Sequence, residues 1–159
     1  MPPQQHEDDI DWDTYLQGEP VPGIHWHAFF WKGQSGLIHS YKNQADRTPG
    51  TQTFPGSDLP PEATTHHLLK PRLVKATFTD PESAAAWMRK QYEADPPTET
   101  YKNPDSCQKF HRRMIELRKD TIWSWDWPKL GDNTTCRAYM ITCPSESEPG
   151  IRCPAPPGR

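Results

Sequence analysis

The chain has 159 residues, a formal net charge of −3 and a mean hydropathy of −0.96, values that indicate one domain with a small hydrophobic core. This charge excludes a global basic field of the kind that attracts nucleic acids. The sequence shows no apolar run long enough to cross a membrane and no signal-peptide core. We therefore expect an intracellular protein, cytoplasmic or nuclear, with reduced thiols.

The 19 prolines are concentrated in a few stretches, which predict loops and tails because proline fixes φ and removes a backbone donor. We expect an acidic leader over residues 1–20 and a single domain over 21–143 with a long proline-rich loop at 42–71. A disordered tail is expected over 144–159. The four cysteines include no CxxC pair, so their spacing does not favour a structural zinc site. Cys143 and Cys153 flank a proline-rich segment and would form a bridge in an exported protein.

The first strand is the clearest element of the chain. Residues 24–31 are apolar or aromatic on both faces, which is typical of a strand in the middle of a sheet. Two glycines within 32–36, followed by residues 37–41, predict a hairpin to a second strand. Residues 72–78 alternate as a third strand, with Val74, Ala76 and Phe78 pointing inward.

Two helices are predicted, each beginning with a capping residue followed by proline. Asp80 precedes Pro81, and Asn103 precedes Pro104. The first helix covers residues 81–94, and each helix has an apolar stripe along one face. The stripes are Ala84, Trp87, Met88 and Tyr92 in the first helix and Cys107, Phe110, Met114 and Leu117 in the second.

The last predicted elements are two extended segments. Residues 123–127 place three tryptophans on one side, and a final strand covers 135–141. The resulting order of elements, β-β-β-α-α-β, is typical of the α+β class. We expect a mainly antiparallel sheet of about four to five strands with two helices packed on one face.

His25 and His27 are the strongest candidates for chemistry. Two positions apart on a strand, their side chains project from the same face about 6–7 Å from each other, within reach of one metal ion. His39, on the neighbouring predicted strand, is the best-placed third imidazole. The alternative is that the imidazoles form only hydrogen bonds within an aromatic sheet.

The His-hydrophobic-His pattern at 25–27, inside an apolar strand, resembles the HUH motif of rolling-circle replication initiators and relaxases. In viral initiators of this kind an acidic or amide ligand lies a few residues upstream, where this chain has Gln17 and Glu19. The layout of residues 70–90 is similar to the strand and helix that bear the family's YxxK motif. The resemblance covers about residues 15–92.

The resemblance implies metal-dependent nicking of single-stranded DNA. A divalent metal (Mn, Mg or Zn) on His25 and His27 would polarise the phosphate, and a tyrosine would attack it to leave a 5′-phosphotyrosine. Trp87 stands where the family has its tyrosine, so Tyr92, about one helical turn later, is the candidate nucleophile. Lys90 would neutralise the developing charge.

A basic helix face followed by tryptophans is a second candidate site. Lys109, Arg112 and Arg113 lie away from the apolar stripe of the second helix, and Trp125 follows. Cations hold phosphates and indoles stack on bases at about 1–3 kcal/mol each, so this surface is a candidate for single-stranded nucleic acid. The alternative is a solvated helix face next to core tryptophans. Three functions stay open: DNA nicking, in an intact or degenerate form; a non-catalytic module that binds nucleic acid or protein; and a small-molecule metalloenzyme.

Overall fold

The computed structural model describes residues 24–97, 103–129 and 132–155. Its strands are β1 (His25–Gln34), β2 (Ala76–Phe78), β3 (Thr121–Lys129) and β4 (Asp132–Cys143), and its helices are α1 (Gly36–His39), α2 (Pro81–Ala94) and α3 (Pro104–Glu116). The strands form one antiparallel sheet in the order β2-β1-β4-β3. The α+β class and the antiparallel sheet are those that the sequence predicts. Among the residues described, no helix combines the length and apolarity needed to cross a membrane.

Both long helices begin where the capping pattern predicts. Asp80 Oδ1 accepts a hydrogen bond from the backbone N–H of Ser83 at 2.7 Å, and Asn103 Oδ1 accepts one from Asp105 at 2.9 Å. These side chains satisfy N–H groups that the first helical turn leaves without partners. The capping residues therefore determine where the two helices start.

The two helices cover one face of the sheet, here called the helix side, and enclose an aromatic core. Trp123 and Trp125 of β3 point into this core together with Met88 and Tyr92 of α2. The ring of Tyr92 stacks on Trp123 with centroids 5.2 Å apart. The predicted alternation of the tryptophans is confirmed, because both indoles are buried on the same face.

Helix α3 buries a different stripe from the one that apolar spacing predicts. His111 and Ile115 are buried, whereas Phe110 is only half-buried. The His111 ring stacks on Trp123 with centroids 5.0 Å apart, and its Nδ1 lies 2.6 Å from the Thr121 hydroxyl oxygen. The hydroxyl of Thr121 and the ring of Trp123 thus offset the cost of burying this histidine.

The predicted hairpin from β1 to residues 37–41 is wrong. After Ser35 the chain enters α1 and then a series of short 3-10 turns that continues to Leu73. β1 pairs instead with β4 along one edge and with β2 along part of the other. Residues 36–75 therefore pack over the second face of the sheet, here called the loop side.

Two buried cations hold this long segment together. The Nζ atom of Lys70 donates hydrogen bonds to the carbonyl oxygens of Phe54 at 2.8 Å and Ser57 at 2.5 Å. Arg47 donates to the carbonyl oxygen of Pro60 at 2.6 Å and to that of Ile38. These carbonyl groups lie in short turns and irregular chain, where no strand pairs with them, so the two side chains add hydrogen bonds that a sheet would otherwise provide.

Residues 144–155, which belong to the stretch predicted as a tail, also pack on the loop side. Thr65 donates its hydroxyl proton to Ser145 Oγ at 2.7 Å, and His66 Nε2 lies 2.7 Å from a carboxylate oxygen of Glu148. Ile151 also contacts the loop-side core. That core consists of Phe29, Leu68, Tyr139, Ile141 and Cys143.

Candidate metal centre

The antiparallel register of β1 and β4 aligns three potential ligands. His25 is opposite Cys143, and His27 is opposite Ile141. Residues directly opposite each other on paired strands point to the same face, and residues two apart on one strand do as well. His25, His27 and Cys143 therefore share the loop side, where the returning segment 144–155 adds Cys153.

The four side chains converge on one point. One ligand atom from each of His25, His27, Cys143 and Cys153 lies within 4.8 Å of all the others. Cys153 Sγ lies 3.3 Å from His25 Nε2 and 3.5 Å from His27 Nε2. With bonds of about 2.3 Å to sulfur and about 2.0 Å to nitrogen, tetrahedral Zn²⁺ would hold neighbouring S and N ligands about 3.5 Å apart. The two S–N separations from Cys153 match the S–N edges of such a coordination shell.

A neighbouring strand orients one of the imidazoles. His27 Nδ1 lies 2.9 Å from the hydroxyl oxygen of Thr77, the residue opposite it on β2. When Nδ1 donates its proton to this oxygen, the lone pair of Nε2 faces Cys153 and is available to a metal. The two histidine rings are nearly perpendicular, at 84°, so they approach the cluster from different directions.

Both imidazoles are held in the neutral form that binds metals. Burial lowers the pKa of His27 to about 4, with a smaller contribution from the charge of His25. Burial likewise lowers the pKa of His25. At neutral pH neither ring carries a proton that a metal ion would have to displace from its ligand nitrogen.

The two cysteines are free thiols in contact with each other. Cys143 is 1% exposed and Cys153 is half-buried. Burial raises the pKa of the Cys143 thiol, and its hydrogen bond with Cys153 raises it further. A single S–H proton on Cys153 cannot serve two imidazole nitrogens, whereas one cation would satisfy all four groups. The cluster can therefore hold a metal ion.

Three of the five predicted metal ligands lie in the described part of the chain, and the structure brings two of them together. His25 and His27 lie in the cluster, whereas His39 is exposed at the end of α1. The hairpin that would have brought His39 beside the pair is replaced by a helix, so its predicted role is not supported. Gln17 and Glu19 lie outside the described residues.

The predicted catalytic residues lie on α2, on the other side of the sheet from the histidine pair. Tyr92 is 8% exposed and packs between Trp123 and Trp125, with ring centroids 5.2 and 5.3 Å away. Lys90 is exposed on the same helix. Because the sheet separates the Tyr92 hydroxyl from the cluster, the structure does not bring the predicted nucleophile to the predicted metal.

The predicted nucleic-acid surface is largely engaged within the protein. Trp125 is 6% exposed and donates its Nε1 proton to the carbonyl oxygen of Asp95 at 2.7 Å, so its ring is not available to stack on a base. Arg112 and Arg113 lie 3.5 and 3.0 Å from the carboxylate oxygens of Glu116. Lys109 is exposed on α3.

Cys143 and Cys153 are not among the predicted metal ligands, because zinc sites are usually recognised by closely spaced ligand pairs. Here the ligands come from β1, from the end of β4 and from the returning segment. The available signal was a pair of histidines on one strand face combined with two cysteines at the ends of a proline-rich segment. Only the pairing of β1 with β4 connects these two patterns.

No family model matches the chain, and neither a curated protein nor a solved structure matches it. The similarity to the HUH motif therefore depends on the short stretches quoted above.

Proposed function

We propose that this protein is a zinc-binding domain in which His25, His27, Cys143 and Cys153 hold one structural Zn²⁺ ion. The observation that carries the proposal is the convergence of two imidazoles and two thiols within 4.8 Å. Two sulfur and two nitrogen donors in a tetrahedral arrangement favour zinc. Mg²⁺ and Mn²⁺ prefer oxygen ligands, so the donor set argues against them.

The role of the ion is to connect parts of the chain that are distant in sequence. It would join β1, the last residue of β4 and the segment 144–155 on the loop side of the sheet. The unfolded chain does not hold these groups together, so the free energy of metal binding contributes to folding. The folded domain would then act as a non-catalytic module whose loop side depends on zinc.

The contacts favour this role over single-stranded DNA nicking. Four protein ligands complete a tetrahedral shell, whereas a catalytic metal keeps a position open for water or substrate. Tyr92, the candidate nucleophile, packs in the core on the helix side. The metal would therefore act on the fold and not on a phosphate.

The first test is the zinc content and cobalt spectrum of the purified full chain. We expect one equivalent of zinc, and replacement by Co²⁺ should give the intense visible absorption of a tetrahedral thiolate complex. Cys153→Ser should lose the stoichiometric ion because it removes one of the four ligands. Cys107→Ser is the matched control, since Cys107 is a half-buried cysteine outside the cluster that packs against the helix-side core. A wild-type protein without bound zinc, or equal zinc content in both variants, contradicts the proposal.

A finer test addresses the hydrogen bond that orients His27. Thr77→Val keeps the shape of the side chain but removes the hydroxyl that lies 2.9 Å from Nδ1. Loss of such an outer partner typically weakens metal binding by about 10–100-fold. We expect that decrease in a competition titration against a zinc chelator, with the stoichiometry unchanged. An unchanged affinity would mean that Thr77 does not position the ligand.

A further inference from the structure

We propose that the zinc centre is also a reversible oxidation site, at which a hydroperoxide converts Cys143 and Cys153 to a disulfide and releases the metal without unfolding the domain. This inference rests on the proposed function, because its starting state is the zinc-loaded protein. It assigns a chemical modification to the two thiolates in addition to their role as ligands.

The exposure of the two sulfurs sets the order of events. Cys153 is half-buried, whereas Cys143 is 1% exposed, so an oxidant from solvent meets Cys153 first. Cys143 already forms a hydrogen bond with Cys153, and their sulfur atoms lie within 4.8 Å. The second thiol that forms the disulfide is thus in place before oxidation begins.

The other cysteines are too far from this chemistry to compete. Cys136 is buried in the core on the helix side, and Cys107 of α3 packs against the same core. The sheet lies between these two thiols and the cluster. Oxidation is therefore directed to the pair of Cys143 and Cys153.

The reaction balances with one hydroperoxide per pair of thiolates. The Cys153 thiolate attacks the terminal oxygen of ROOH, the O–O bond breaks, and RO⁻ takes a proton and leaves as ROH. Cys153 is then a sulfenic acid. The Cys143 thiolate attacks this sulfur, an S–S bond forms, the S–O bond breaks, and hydroxide takes a proton and leaves as water. Two electrons pass from the sulfurs to the peroxide, and Zn²⁺ departs because the thiolates are no longer available as ligands.

The returning segment stays attached in both states. The disulfide joins the same two residues that the metal joins, so segment 144–155 remains tied to the end of β4. Its polar contacts, Thr65 with Ser145 and His66 with Glu148, are independent of the metal. Oxidation therefore differs from loss of Cys153, which removes both the metal and the covalent connection.

The experiment treats the zinc-loaded full chain with hydrogen peroxide and measures three quantities. A chromogenic chelator reports released zinc, peptide mass analysis identifies the disulfide, and hydrogen exchange reports the protection of residues 144–155. We expect one zinc released per Cys143–Cys153 disulfide, with protection of the segment retained. Dithiothreitol followed by zinc should restore the starting state. Cys107→Ser should behave like the wild type.

Different failures lead to different conclusions. If the purified chain binds no zinc, the proposed function is wrong and the inference is lost with it. If one zinc binds but peroxide leaves it in place, or releases it with sulfinic acid instead of the disulfide, the oxidation site alone is wrong. Cys143→Ser lacks one of the four ligands and is therefore treated as metal-free protein. It should stop at a sulfenic acid on Cys153 that dimedone traps. If that variant does not fold, the disulfide mapping of the wild type still decides the question.

Discussion

The two faces of the sheet are stabilised in different ways. The helix side is an aromatic and aliphatic core in which Met88, Trp123 and Ala138 are almost fully buried. The loop side buries charged and polar groups as well, among them Lys70 and His67. The same strands therefore support one face held mainly by apolar burial and another held by specific polar contacts and the cluster of histidines and cysteines.

The difference follows from the elements that cover each face. Helices satisfy most of their own backbone hydrogen bonds and need only present an apolar stripe. The loop side is covered mainly by short turns and irregular chain, whose carbonyl groups need other partners when buried. Arg47 and Lys70 supply these partners, and the cluster of histidines and cysteines fastens the end of the described chain. The following predictions test this contrast.

The largest effect is expected from the core on the helix side. Trp123→Ala removes an indole that contacts Tyr92 and His111, and it should lower the free energy of unfolding by about 3–5 kcal/mol. Urea denaturation monitored by far-UV circular dichroism measures this change. Because the core is shared by the whole sheet, the apparent zinc affinity of this variant should fall by the same factor as its folded fraction. A loss below about 1 kcal/mol would show that this core is not what stabilises the fold.

Removing zinc should act on the loop side first. At free zinc 100-fold above the dissociation constant, the ion contributes about 2.7 kcal/mol to stability, and chelation removes this amount. Hydrogen exchange should increase at the start of β1 and over residues 144–155, while α2 and α3 keep their protection. Equal loss of protection on both faces would contradict a division of the sheet into separately stabilised sides.

Replacing a buried cation should have an intermediate effect. Lys70→Met preserves much of the side-chain volume but removes one hydrogen-bond donor from each of two carbonyl oxygens. Phe54 then keeps the Ser57 N–H at 3.2 Å, and Ser57 keeps the Arg72 guanidinium at 2.8 Å. We expect a loss of about 1–3 kcal/mol in chemical denaturation. Lys90→Met, at an exposed position of α2, is the matched control and should change stability by less than about 0.5 kcal/mol. Similar losses in the two variants would contradict the role of Lys70.

The remaining effect is a pH dependence that arises from His67. Burial lowers the pKa of His67 to about 4, and its Nδ1 donates a hydrogen bond to the carbonyl oxygen of Thr64 at 2.8 Å. Between pH 6.5 and about 4 the unfolded chain binds a proton here that the folded chain does not. Stability therefore falls as the pH falls through this window, by about 1.4 kcal/mol per pH unit for one proton.

His67→Asn retains a donor near the position of Nδ1 but does not titrate. In metal-free protein, the free energy of unfolding of this variant should decrease less steeply than that of the wild type as the pH falls. The difference between the two slopes should correspond to the binding of one proton. His39→Asn, at an exposed position of α1, is the matched control for the substitution. Denaturation curves at several pH values between 4 and 7 provide the comparison. If the stability of the wild type and of His67→Asn depended on pH with the same slope, His67 would not be the source of the pH dependence.

The sequence alone determined the features that depend on neighbouring residues. Asp80 and Asn103 mark the starts of two helices because a capping side chain acts within its own turn. The alternation of a strand places Trp123 and Trp125 on one face, and the same period of two residues puts His25 and His27 side by side. Half of the candidate metal site was therefore predictable.

The tertiary structure decided the features that depend on residues far apart in the chain. Cys143 meets His25 through the register of β1 and β4, and Cys153 arrives only because the chain folds back over the loop side. His111 is buried because Thr121 and Trp123 provide partners that no helical pattern reveals. Local preferences set each element, whereas long-range pairing and the satisfaction of buried polar groups decide which elements meet.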